Sequence, residues 1–217
     1  LARFAMKEPW HKGIPTRVQA VAWAQLERLR QWVLNSNAKN FVLLALPYQV
    51  SAILTALVAV GYTKAFQWAA RWNHGLIDSN PQLIFLTAPL AFLASWWMVR
   101  FFSPMAGGSG IPQLIAAVET GNDEEEKDGS WRFLNLRIII VKIASSIAMV
   151  LGGGAIGREG PTLQIAGSIY RTVHKLLPPF WPKVSRKVMM VTGGAAGLSA
   201  AFNTPLGGIV FAIEELT

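Results

Sequence analysis

The sequence predicts an all-α integral membrane protein, and three observations carry that prediction. The 217 residues are 52% hydrophobic and only 15% charged, with a mean hydropathy of +0.35. Ordinary soluble domains carry roughly 25% charged residues. Three stretches run without a charge: Phe41 to Val60, Pro81 to Val99 and Val188 to Ile213. About twenty apolar residues suffice to cross the hydrocarbon core. The 20 Lys and Arg outnumber the 12 Asp and Glu, for a formal charge of +8, and stand at the edges of the apolar stretches. Membrane proteins place basic residues there. Nucleic-acid binding instead needs them clustered on one solvated face, so that partner is not expected. Alternating segments of about ten residues, the mark of an outer-membrane barrel, are not found.

The absence of Cys rules out disulfides and thiolate metal sites. His11, His74 and His174 lie in polar flanks, which argues against an intramembrane His site. No metal, cofactor or enzymatic activity is expected. With no initiator Met and no apolar segment after the basic N-terminus, no signal peptide is expected, and the chain reads as a fragment cut at both ends.

The chain divides into a basic N-terminal segment, 1–40, and a membrane domain, 41–217. In the first, Val18, Val21, Ala22, Leu26, Leu29 and Val33 recur at helical spacing. This predicts an amphipathic helix along the membrane surface. The seven Lys and Arg of 1–40 favour a cytoplasmic N-terminus. Two ordinary spans follow, at 41–72 and 81–102. The first is too long for a perpendicular crossing and should tilt. Trp68, Trp72, Trp96 and Trp97 sit near span ends, as interfacial aromatics do.

From Gly107 onward the apolar segments shorten and are broken by Gly and Pro: GGSGIP, LGGGAIGREGP, TGGAAG and FNTPLGG. An acidic loop with Asp123, Glu124, Glu125, Glu126 and Asp128 interrupts them. Broken apolar segments free backbone groups and persist in membranes where they line a cavity or are buried in protein. In transporters, discontinuous helices mark the substrate site. For Gly193, Gly194 and Gly197 the expected role is close helix packing.

Two motifs have the grammar of helix starts: Gly108-Ser109-Gly110-Ile111-Pro112 and Gly157-Arg158-Glu159-Gly160-Pro161. Ser109 suits the N-cap, and Pro is tolerated in a first turn because its missing N–H is not needed there. Each is followed by an apolar stretch of about ten residues. A helix start facing a membrane cavity offers unpaired N–H groups and the positive end of the dipole. That is an anion site built without a full charge, suited to an ion that must be released again. Glu159 could act merely as a dipole-stabilising acid. It could also compete with a halide for the same amides, occupying the site when ionised and leaving when protonated. One residue would then link proton binding to anion binding. Glu214 and Glu215 close the last apolar segment, as a proton port or a solvated pair.

At these residues the chain resembles the CLC family of chloride channels and proton-coupled chloride transporters. GSGIP (108–112), GREGP (157–161) and AAFNTPLGGIVFAIEE (200–215) occur in order, with Lys142 where bacterial members have a lysine. The resemblance implies the first repeat of an inverted-repeat fold with tilted and broken helices. It also implies a homodimer with one pathway per subunit and a place in a bacterial inner membrane, with chloride, protons and lipid as partners. Ser109 corresponds to the central chloride ligand, Glu159 to the external gating glutamate and Glu215 to the internal proton-transfer glutamate. A glutamate at Glu215 resembles exchangers rather than channels. The family's second half, with its Gly-x-Phe-x-Pro element and pore tyrosine, has no counterpart here. The expected function is therefore chloride/proton antiport completed by a missing half. A passive chloride channel and a non-transporting half are the alternatives. A reading of another class, an intramembrane serine protease at Gly107–Gly110, needs a base beside Ser109, and Lys142 is the only deep candidate.

Overall fold

The structure, a computed structural model, describes residues 37–121, 129–178 and 181–216. The amphipathic helix expected over 18–34 and the acidic loop at 123–128 lie outside the described residues. Those described are helical, with no strand among them.

Helix α1 (Asn37–Ser79) runs for 43 residues, about 65 Å at 1.5 Å per residue. It is far longer than a bilayer core is thick, as the tilt expectation requires. It continues past 72, where the sequence suggested an end, because no strong helix breaker intervenes before Pro81. A residue preceding proline is disfavoured in the α region, and Asn80 accordingly sits at φ −149°. A short turn, Pro81–Leu83, leads into α2 (Ile84–Phe102). Trp96 and Trp97 at its end are exposed and meet Phe101 and Phe102 edge-on or tilted.

After α2 the helices are α3 (Ile111–Thr120), α4 (Leu136–Leu151), α5 (Glu159–Leu176), α6 (Arg186–Phe202) and α7 (Pro205–Glu215). Two sequence expectations are corrected here. The uncharged stretch from Val188 to Ile213 is not one crossing. Asn203 adopts a left-handed conformation (φ 55°, ψ 37°), tolerable for Asn because its short polar side chain bonds locally. Pro205 then opens a new helix. Among the described residues, the third segment long and apolar enough to cross is Gly129–Leu151, beside Val42–Ser79 and Pro81–Phe102. The helix after GREGP is also longer than expected, at 18 residues against 10 for the helix after GSGIP.

Helix α5 is the centre of the fold. Every residue from Gly160 to Arg171 is buried, the pattern of a helix surrounded by protein rather than lying at a surface. Its closest neighbour is α6, and the glycines explain how. A Cβ on Gly193 would lie 3.1 Å from the Gly167 Cα, and one on Gly197 would lie 2.9 Å from the Leu163 Cα. The two backbones are nearly in contact, as small residues permit. Gly194 makes room for Leu114 and Leu216, which join Leu163 and Met190 in the main apolar core. On the other side α2 meets α4, with Ser95 Oγ donating to the Ser145 carbonyl at 3.0 Å. Asn73 of α1 donates to the Leu151 carbonyl at 2.9 Å and ties the end of α4 to the long helix.

Candidate functional site

The two helix starts meet. A Cβ on Gly110 would lie 2.6 Å from the Gly160 carbonyl oxygen, and one on Gly160 would collide with the Ser109 carbonyl oxygen. Only residues without a side chain allow this backbone-to-backbone contact. The N-cap of α3 is Gly110, not Ser109 as the sequence suggested. Gly110 takes the position because its φ of 107° is left-handed, a conformation that glycine adopts without steric penalty. Ser109 is thereby displaced outward and exposed.

Beside the contact lies a cavity of about 530 Å³. Gly108, Ser109 and Ile111 line it from the first helix start, and Gly157, Glu159, Gly160 and Pro161 from the second. Gly110 is buried under it against Gly160, whereas Pro112 and Arg158 do not line it. Pro112 occupies the first turn of α3, and Arg158 is the N-cap of α5, its carbonyl accepting from Thr162 N and Oγ1. In each helix the first four amides have no intrahelical acceptor. With the prolines lacking an N–H, the amides left are those of Gly110, Ile111 and Gln113 on one side and Arg158, Glu159 and Gly160 on the other, of which Ile111, Glu159 and Gly160 belong to residues that line the cavity. Two positive dipole ends thus converge on one space. The Glu159 side chain folds back over Gly157, where an added Cβ would collide with its Oε2.

The segment before α3 is held from three helices. Gln164 Nε2 donates to the Met105 carbonyl at 2.8 Å, Lys142 Nζ to Ala106 at 2.9 Å and Gly108 at 2.7 Å, and Gln113 Nε2 to Gly107 at 2.8 Å. Four consecutive carbonyls, the negative ends of their peptide dipoles, are each occupied by a side-chain donor. Lys142 is 2% exposed and lines the cavity. Its charge adds to the two helix dipoles, while its hydrogen bonds go to backbone rather than to Ser109. That geometry does not supply the base a serine nucleophile needs. Lys142→Met should strand two carbonyls and remove the buried charge. We expect a loss of about 1–3 kcal/mol of stability, measured by thermal melting of the complete gene product that carries this chain.

Sequence reasoning missed Gln113, Gln164 and the pair Ser145 and Ser146. The serines line the cavity, and the Ser146 hydroxyl donates to the Lys142 carbonyl. Polar residues inside the apolar runs Ile111–Val118, Ile138–Leu151 and Leu163–Ile169 were the available signal. Glu215 is not brought to this cavity. It ends α7 exposed, beside Leu216, which is buried against Gly194 and the α3 core. Two carboxylates at the negative end of a helix gain nothing from its dipole.

The sequence pattern described as voltage gated chloride channel matches residues 90–217. The chain is 37% identical over 199 residues to an H(+)/Cl(-) exchange transporter ClcA of Salmonella paratyphi B, covering 88% of this chain and 39% of that protein. It is 38% identical over 174 residues to proteins of the same description from Citrobacter koseri and Salmonella arizonae, covering 77% of this chain and 35% of each. The chain therefore spans less than two fifths of the length of these relatives, from 35% to 39%.

Proposed function

Since the chain belongs to the voltage-gated chloride channel family, we propose that it supplies half of the pathway of a chloride/proton exchanger, as its relatives' descriptions suggest. The observation behind this reading is the meeting of two helix starts at one cavity with a single carboxylate, Glu159, among their amides. Ionised, Glu159 satisfies the donors that an anion would use. Protonated, it accepts them poorly and swings away, and chloride takes its place with the Ser109 hydroxyl as an added donor. Lys142 raises the local potential without leaving its carbonyls. Glu215 carries protons between this region and the inner solution. The second half closes the pathway, and Leu206, Ile209, Val210 and Ile213, exposed on α7, offer it an apolar face. The assembly is a homodimer in a bacterial inner membrane, with one pathway in each subunit.

The test is flux in liposomes holding the complete gene product. A chloride gradient should drive protons uphill, read with a pH electrode. Glu215→Gln should abolish proton movement and leave chloride flux. Chloride flux with no proton movement in the unsubstituted protein would establish a passive channel instead. Proton pumping that survives Glu215→Gln would remove Glu215 from the pathway.

A further inference from the structure

We propose that a second, basic cavity binds the phosphate headgroup of an anionic phospholipid. It measures about 600 Å³ and shares no lining residue with the Ser109 cavity. Arg132, Arg137, Arg171 and Lys175 line it, and among the described residues no Asp or Glu does. An adjoining cavity of about 590 Å³ shares Arg132, Arg171 and Lys175 with it. Arg171 is 7% exposed and fixed, its Nε donating to Ser130 Oγ at 2.8 Å and its Nη1 to the Leu134 carbonyl at 3.2 Å. The other three basic side chains are exposed.

The position argues for a lipid rather than a soluble anion. Phe102 ends α2, Trp131 to Arg137 open the third apolar segment, and Lys175 lies in the last turn of α5. The ends of crossing segments lie at headgroup depth, where Trp is enriched. Phe102, Trp131 and Leu136 are 44%, 56% and 59% exposed along the same cavity, an apolar border for acyl chains beside a cationic floor. The sidedness agrees. The opposite connection, Asn80-Pro81-Gln82-Leu83, carries no Lys or Arg, so the positive-inside rule assigns the basic cavity to the cytoplasmic leaflet. Anionic lipids give that leaflet its negative surface potential.

The experiment is native mass spectrometry of the complete gene product, released from detergent with phosphatidylglycerol or with phosphatidylcholine of the same acyl chains. Phosphatidylglycerol should be retained preferentially. The double variant Arg132→Ala/Lys175→Ala should lower its retention about thirtyfold, with phosphatidylcholine unchanged and inorganic phosphate unable to displace the lipid. Arg137→Ala gives a second, smaller decrease should the double variant melt early. Equal retention of the two lipids would overturn the proposal, as would undiminished retention in a folded double variant. Displacement by inorganic phosphate alone would make this a soluble-anion site. Retention that emerges only after Glu124, Glu125 and Glu126 are replaced by Gln would make the chain's own acidic segment the occupant. The readout requires no transport, so it stands apart from the exchanger reading.

Discussion

Replacing Glu159 with Gln is expected to abolish proton movement while chloride flux persists. The amide matches the carboxyl in size but cannot carry a proton or place a negative charge among the amides of Gly160 and its neighbours. Proton flux should fall by at least about a hundredfold, the scale on which a positioned acid or base contributes. Removing the carboxylate also removes the competitor for those amides, so the variant should bind chloride at least as tightly as the unsubstituted protein. Parallel measurement of proton and chloride flux from liposomes, with calorimetric chloride titration, checks both. A variant that still moves protons uphill would refute the gate assignment.

Gly160→Ala should be nearly as damaging without touching any charge. The new Cβ would collide with the Ser109 carbonyl oxygen and lie 3.0 Å from the Ser109 carbonyl carbon. Both are backbone atoms, next along the chain to the carbonyls of 105–108 that Lys142, Gln113 and Gln164 hold, so the two helix starts must separate. Overpacking of this kind costs about 1–3 kcal/mol. Parting the two sets of amides should weaken chloride binding by about tenfold or more, the equivalent of one good hydrogen bond. Gly61→Ala is the matched comparison. It lies in helix α1 with nothing within 4 Å of its added Cβ, and should be neutral or stabilising by up to about 1 kcal/mol. Melting temperature and calorimetric chloride titration distinguish the outcomes. Undiminished chloride affinity in folded Gly160→Ala would show that the contact between the motifs does not set the anion site.

The helical membrane class was legible because it rests on quantities additive along the chain: charge scarcity, length of apolar runs and basic flanks. The two helix starts were legible because Gly, Ser and Pro have strong local preferences. The packing role of Gly193 and Gly197 was legible as well, since closely spaced small residues in an apolar run leave few other uses. Local preference alone misplaced three features. It assigned the N-cap to Ser109, whereas the approach of Gly160 requires a glycine there. It counted Val188 to Ile213 by length among the stretches able to cross, although the chain divides at the FNTPLGG break, where Asn203 is left-handed. It ended α1 before the helix-stopping effect of Pro81 applied.

The sequence by itself therefore determined the solvent this protein is built for, the order of its helices and the residue types able to hold an anion, since those follow from composition and from neighbours a few positions apart. Only the tertiary structure decided that Gly110 and Gly160, 50 residues apart, touch, that Lys142, Gln113 and Gln164 occupy the carbonyls of 105–108, and that Glu215 stands away from the Ser109 cavity. The physical reason is that hydrogen-bond donors and close backbone contacts act over a few ångströms of space, and distance along the chain does not encode which of them will meet.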